Sequence, residues 1–166
     1  LYPTMVASSG WAVHRWGVHN CTAGVAAVKS GCVTRVSGES TMPTLRNDRG
    51  ITVQNDTHAF DLHILAPVLS NGWVLLGDLR RFVTVSGRRF ASIQIRVKSV
   101  EVEIIGAPEE QVRVTALRPT TETQTEPTEW TVVSAEVVFS ANCSAKLVQG
   151  QPGPACVKSL VIGPSY

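Results

Sequence analysis

The sequence has few charged residues and no long apolar run. Charged residues make up 17% of the 166, against roughly 25% in an average soluble protein. The net charge of +2 is too small to attract nucleic acid to the whole domain, so such a contact would need a local cluster. No stretch of about 18 apolar residues occurs, and we therefore predict no membrane span in this segment and no membrane partner. Low surface charge is typical of subunits that pack together, because interface cores are depleted of charge.

Recognisable catalytic motifs are also missing from the sequence. It has no His-Glu-x-x-His pair, no phosphate-binding loop and no dinucleotide fingerprint after a strand. Asp61 and His63 would share one face of a strand, within reach of a common metal ion. No third ligand is apparent, so ordinary surface polar residues explain them better. We predict a protein that is not an enzyme and that has neither a metal site nor a cofactor.

The four cysteines form two pairs along the chain, Cys21 with Cys32 and Cys143 with Cys156. Neither pair has the Cys-x-x-Cys spacing that is typical of structural zinc sites. Each pair encloses a short segment that contains glycine, which favours local disulfides. Sequence alone cannot decide between two such disulfides, another pairing, or four free thiols.

Three triplets match the acceptor pattern for N-linked glycosylation. They begin at Asn20, Asn55 and Asn142, and two of them overlap a cysteine. Together with the paired cysteines they favour an oxidising compartment or a virion-like shell. The predicted location is the virion, and the alternative is the extracellular space.

Short runs rich in valine and isoleucine, separated by turn residues, fill the chain from Ile51 onward, and no long helix is predicted. This pattern predicts an all-β fold, an antiparallel sandwich of the jelly-roll type. We predict one domain, with residues 1–50 as an extended arm with short strands and residues 51–166 as the sandwich core. The predicted strands are Ile51–Val53, Phe60–Leu65, Trp73–Leu76, Phe82–Val85, Ala91–Ile105, Gln111–Leu117, Thr131–Ser140 and Val157–Ile162.

The longest run, Ala91–Ile105, changes phase in the middle. Ile93, Ile95 and Val97 alternate with polar residues, and the alternation then resumes one residue out of step at Val100. Such a slip indicates either a β-bulge or a bend between two strands. A bulge would keep both apolar sets in one core.

Four arginines form the densest basic cluster in the chain. Arg80 and Arg81 precede a turn at Ser86-Gly87, and Arg88 and Arg89 follow it. The four would come together if the flanking strands pair. The alternative is a solvated turn without a binding role.

One local string resembles the serine motif of type I signal peptidases. Residues 36–45 contain Ser40 shortly before Pro-Thr-Leu, and residues 104–108 resemble the same family's later strand-end motif. The resemblance implies that Ser40 would be the nucleophile. The family's lysine base would lie just before the second motif, where this chain has Val102 and Glu103. A serine without a positioned base is a poor nucleophile, so a degenerate serine protease is the lesser alternative.

The stretch from Phe60 to Phe139 resembles the coat proteins of small icosahedral plant RNA viruses, including tymovirus-like and satellite-virus coats. The similar segments are Ala66-Pro67 with Trp73, then residues 89–93 and 97–103, then 112–119, and finally 127–130 after a polar loop.

The resemblance implies a capsid protein that assembles with copies of itself into a symmetric shell and packages RNA. Phosphate contacts would come from Arg80, Arg81, Arg88 and Arg89, with Arg96 and Lys98 as lesser candidates. The alternative function is that of an extracellular immunoglobulin-like domain or a viral surface glycoprotein domain, which the cysteines and the glycosylation triplets favour.

Overall fold

A computed structural model describes residues 10–16, 26–28, 31–36, 62–120, 129–143 and 155–163. Within these ranges the chain forms strands and turns and no helix. The strands are β1 (Trp11–Trp16), β2 (Ala26–Val28), β3 (Gly31–Val36), β4 (His63–Pro67), β5 (Val74–Gly77), β6 (Phe90–Ile95), β7 (Val100–Gly106), β8 (Gln111–Pro119), β9 (Trp130–Val138) and β10 (Cys156–Ile162). The predicted strand Ile51–Val53 lies outside the described residues.

The strands form three antiparallel sheets. The N-terminal sheet has the order β2-β3-β1-β4, the central sheet β5-β8-β9 and the outer sheet β10-β7-β6. The predicted all-β, antiparallel sandwich is thereby confirmed. Strands β1 and β3, from the first fifty residues, pair with each other, and β1 also pairs with β4.

The central and outer sheets enclose the larger of two apolar clusters, which we call the central core. Alternate residues of β8 and of β7 share this core because successive side chains of a strand point to opposite faces. Phe90 and Phe139 are its largest fully buried side chains. Its other members are Leu69, Trp73, Leu75, Val100, Val102, Ile104, Val112, Val114, Ala116, Val137, Cys156 and Ile162.

The N-terminal core lies on the opposite face of the central sheet, where the N-terminal sheet covers it. Leu75 of β5 belongs to the central core, whereas its neighbours Val74 and Leu76 belong to the N-terminal core, and none of the three is exposed to water. A strand covered on both faces has apolar residues at every position. The remaining members are Ala12, Val33, Ala66, Val68, Leu79, Leu117 and Trp130.

The run Ala91–Ile105 is two strands, β6 and β7, joined by a tight turn. Of the two interpretations of the phase slip, the bend is therefore the right one. Asn71 is buried and holds this turn, because its side-chain amide donates to the carbonyls of Arg96 and Ser99 at 2.8 and 3.1 Å. The residues Ile93, Ile95 and Val97, which alternate in the sequence, do not share one environment. Ile93 packs against the central core, whereas Val97 is 74% exposed at the turn.

The predicted strand Phe82–Val85 is wrong, since these residues lie in a loop of turns and bends between β5 and β6. We call residues 78–89 the arginine loop. It begins after Gly77, whose φ of +80° is a left-handed conformation that favours glycine. A Cβ atom at Gly77 would collide with the Thr84 carbonyl, which accepts a hydrogen bond from the Asp78 amide at 2.9 Å. Because this hydrogen bond closes the loop, residues 82–85 do not pair with a neighbouring strand.

Cys143 and Cys156 form a disulfide, with Cα atoms 5.8 Å apart. It joins the segment after β9 to the start of β10, across the edge of the two packed sheets. Cys32 in β3 also takes part in a disulfide, and Cys21 lies outside the described residues. Of the alternatives left open by the sequence, the local pairing of Cys143 with Cys156 is confirmed.

Candidate binding cleft

An open cleft of about 660 Å³ lies beside the arginine loop. The loop forms one wall, with Phe82 and Val83 among its lining residues. Residues 105–108 and Glu110, at the corner between β7 and β8, form a second wall, and Cys143 and Cys156 also line the cleft. The cleft is therefore built from elements that the central core and the disulfide hold in place.

Asp78 organises the arginine loop from within. This residue is only 2% exposed, and its carboxylate accepts hydrogen bonds from both the backbone amide and Nε of Arg80 at 3.2 Å. Arg81 approaches the same carboxylate at 3.9 Å through Nε, and its backbone amide donates to the Asp78 carbonyl at 3.1 Å. A buried carboxylate needs such partners, because an unpaired charge away from water is costly.

Glu110, at the β7–β8 corner, is a second carboxylate that binds arginines of the loop. Arg89 donates to its two carboxylate oxygens at 2.5 and 3.0 Å, a two-point contact that suits a guanidinium. Arg81 adds a third contact at 3.2 Å, and the backbone amide of Ala107 donates a fourth at 2.9 Å. Arg89 also donates to the Ile105 carbonyl at 2.7 Å. The loop is thus tied across the cleft to the β7–β8 corner.

These contacts set the ionisation of Glu110. The hydrogen bond from Arg89 is the main cause that lowers its pKa from 4.5 to about 2, with smaller contributions from the Ala107 amide and from the charges of Arg89 and Arg81. Partial burial acts in the opposite direction and is outweighed. The carboxylate therefore stays ionised across the whole neutral and mildly acidic range.

The structure brings together most of the predicted basic residues. Arg80, Arg81 and Arg89 lie around Asp78 and Glu110, and Arg88 lines the cleft with Arg81 and Arg89. Two carboxylates offset four guanidinium groups, so the cluster keeps a formal charge of +2. The pairing of the arginines with carboxylates leaves less charge for a ligand than the sequence suggests.

The two lesser candidates lie elsewhere. Arg96 and Lys98 belong to the turn between β6 and β7, at the other end of β6 from Arg89. Arg96 forms an ion pair with Glu101 at 2.8 Å and donates to Gln94 at 2.8 Å. They do not contribute to the cleft.

Sequence reasoning missed the apolar tip of the arginine loop. Phe82 is 78% exposed and Val83 is 51% exposed, although their alternation with Thr84 and Val85 predicted a strand. It also missed Asp78 and Glu110. A carboxylate immediately after the Gly77 turn signal and an acidic pair after Pro108 were the available signs.

The other candidate residues from the sequence lie away from the cleft or outside the described residues. His63 begins β4, where it lies opposite Arg15 of β1, and Asp61 and Ser40 lie outside the described residues. Across the ranges that the structure describes, no three His, Cys, Asp or Glu side chains come together as a metal ion would require. The cleft itself offers guanidinium groups and exposed apolar side chains, which suits non-covalent binding of an anionic partner.

No family model matches the chain, and no curated protein or solved structure matches it. In the described ranges, no helix has the length and apolar character needed to cross a bilayer.

Proposed function

We propose that this protein is a binding domain that works in an oxidising compartment, on the extracellular side of a cell or at the surface of a virion. The observation that carries the proposal is the disulfide framework: Cys143 is joined to Cys156, and Cys32 is also disulfide-bonded. Disulfides persist in secreted and surface proteins and are rare where glutathione and thioredoxin keep thiols reduced.

The position of the Cys143–Cys156 disulfide supports a structural role for oxidation. Cys156 is 1% exposed and belongs to the central core, so the bond fixes the edge where β10 joins the sandwich. In a reducing compartment the same site would hold two thiols, and β10 would lose this covalent link to the segment after β9. Asn142, which opens a glycosylation triplet, is exposed beside Cys143, as a glycan acceptor must be.

The cleft supports binding as the activity. Its walls are cross-linked by hydrogen bonds from Arg89 and Arg81 to Glu110, so its shape exists before a partner arrives. Preformed sites spend less binding energy on ordering. Phe82 and Val83 offer apolar contact area, and the arginines select for negative charge.

The test is the state of the cysteines and the asparagines after secretion. The chain is expressed with a secretory leader, alkylated without reductant, and its mass is measured before and after glycosidase treatment. We expect no alkylated cysteine and a mass shift that includes Asn142. Free thiols in the folded, secreted protein would overturn the proposal.

A second candidate is the capsid protein that the coat-protein resemblance implies, a jelly-roll subunit that assembles into a shell and packages RNA. One observation favours it: Arg81 and Arg88 line the same cleft as the exposed side chain of Phe82. A basic surface with an aromatic ring on which bases stack is typical of single-strand binding.

Light scattering and electron microscopy of the purified protein test this candidate, together with binding to polyuridylate at low and moderate salt. Closed particles and salt-sensitive RNA binding would favour the shell over the surface domain. A monomer that ignores RNA at low salt would exclude it.

A further inference from the structure

We infer that the tip of the arginine loop inserts into an anionic lipid surface, with Phe82 and Val83 entering the boundary between headgroups and acyl chains. Arg80 and Arg81 would contact lipid phosphates. The inference rests on the proposed function, because it needs the cleft face to meet membranes outside the reducing cytosol, and it departs from the sequence-based prediction of no membrane partner.

The tip combines exposure with a fixed backbone. Phe82 is 78% exposed and Val83 51%, yet hydrogen bonds close the loop on both sides of them. The Asp78 amide donates to the Thr84 carbonyl at 2.9 Å, and the Arg89 amide donates to the Ser86 carbonyl at 2.9 Å. A loop that merely lacked order could fold its aromatic ring back onto the surface. This one holds the ring in water, which costs free energy unless a partner covers it.

The charges around the tip are complementary to an anionic surface. The side chains of Arg80 and Arg81 are 54% and 59% exposed while they contact Asp78. Arg80 also donates to the Gln111 carbonyl and Arg81 to Glu110, so a second anion would bind the remaining N–H groups of each guanidinium. Arginine near a membrane keeps its guanidinium at the phosphate level while its stem covers apolar surface. Exposed basic side chains are attracted to a leaflet that carries anionic lipid.

Lipid fits the tip better than nucleic acid does. A base would stack on Phe82, but Val83 offers no ring face, so only one of the two exposed apolar side chains could take part in stacking. Burying Phe82 and Val83 in the bilayer boundary would remove their apolar surface from water, which is favourable. Two apolar side chains and two arginines support weak, reversible attachment of a single domain, which several copies would strengthen.

The molecule contains its own control for nonspecific adhesion. Val97, in the turn between β6 and β7, is 74% exposed and lies between Arg96 and Lys98. This turn is at the opposite end of β6 from the arginine loop. An oriented membrane contact needs one end of the sandwich, whereas general stickiness would involve both.

The experiment measures sedimentation of the oxidised full chain with vesicles of phosphatidylcholine, with and without about 30% phosphatidylserine. We expect binding that needs the anionic lipid and falls with salt. Phe82→Ser with Val83→Ser should weaken partitioning at least tenfold, and Val97→Ser should leave it unchanged. The melting temperature of each variant should match that of the parent, because these side chains are exposed.

The outcomes separate the two proposals. Equal vesicle binding by the parent and the Phe82/Val83 double variant, or an equal loss with Val97→Ser, would overturn the membrane inference. Binding to polyuridylate without binding to vesicles would overturn it in favour of RNA. Absence of vesicle binding with both disulfides intact would overturn the membrane inference and leave the surface-domain proposal standing. Free thiols in the secreted protein would overturn the surface-domain proposal itself.

Discussion

The two cores on either side of the central sheet differ in what they bury. The central core contains Phe90 and Phe139, and its edge is fixed by the Cys143–Cys156 disulfide. The N-terminal core has fewer members, with Trp130 as its largest side chain, and the sheet above it buries His14 completely. Buried polar groups cost free energy that apolar contacts must offset. We conclude that the central core supplies most of the stability and that the N-terminal sheet is the weaker unit.

The largest expected effect comes from substitutions at two adjacent core residues of β5, one in each core, which test this comparison. Leu75 and Leu76 are both fully buried and point into the central and N-terminal cores, respectively. We expect Leu75→Ala and Leu76→Ala each to cost about 2–5 kcal/mol of unfolding free energy. Leu75→Ala should cost more, because the core around Phe90 and Phe139 has less freedom to collapse into the cavity. Denaturant unfolding measures both.

Hydrogen exchange shows where each variant acts. Leu76→Ala should reduce the protection of β1 amides more than that of β7 amides, and Leu75→Ala should affect both. Equal unfolding costs and identical exchange patterns would mean that the two cores form one cooperative unit, and the comparison would fail.

Removal of the Cys143–Cys156 disulfide should have the next largest effect. The two cysteines are 13 positions apart, and closing a loop of that length restricts the unfolded chain by about 3 kcal/mol. We expect Cys143→Ser with Cys156→Ser to lower stability by roughly 2–4 kcal/mol. Dithiothreitol should lower the melting temperature of the parent and shift that of the variant less. An unchanged melting temperature in the double variant would contradict the structural role.

Glu110→Gln should have a smaller effect with a distinct pH dependence. The folded-state pKa of about 2 lies below the ordinary 4.5, so the ionised carboxylate contributes stability above about pH 4.5. That contribution is lost as the pH falls from there through about 2. We expect a cost of about 1–2 kcal/mol at pH 7 after solvent screening is considered, with the two proteins converging in acid.

Glu136→Gln is the matched control for that experiment. Glu136 also pairs with an arginine, Arg113, but both side chains of this pair are exposed to solvent, where such pairs contribute little. It should unfold almost as the parent does at every pH. A loss of stability equal to that of Glu110→Gln would mean that the contacts of Glu110 in the cleft contribute no more than a surface ion pair does.

The sequence predicted the strands wherever alternation was strong and both flanks were marked by turn residues. Strands β8, β9 and β10 lie where period two predicted them. It failed at Phe82–Val85, because the same alternation arises in a loop held by a left-handed glycine and a buried aspartate. Local pattern cannot show that the Asp78 amide will bond to Thr84 instead of to a neighbouring strand.

The candidate site was only half predictable for a related reason. Four arginines close in sequence were evident, but their partner Glu110 is 21 residues from Arg89 and meets it only after β6 and β7 form. The exposure of Phe82 likewise depends on tertiary packing. Apolar residues are expected inside, and only a folded structure shows which one stays outside.

The smallest expected effect concerns pH and the N-terminal sheet. Burial lowers the pKa of His14, so the folded chain holds it neutral while the unfolded chain gains a proton below about pH 6.5. Stability of this sheet should therefore be complete above that pH and fall as the solution is acidified. We expect β1 amides to lose exchange protection between pH 7.5 and 5.5 while β7 amides keep theirs.

His14→Gln should remove this pH dependence, and His63→Gln, in the neighbouring strand of the same sheet, should retain it. If β1 and β7 lose protection in parallel, acid acts on the whole domain and the N-terminal sheet is not an independent unit. If His63→Gln abolishes the pH dependence, the group responsible is His63 in the edge strand β4 and not the buried His14. Selective loss in β1 that requires His14 would show that the weaker of the two units is also the one that responds to mild acid.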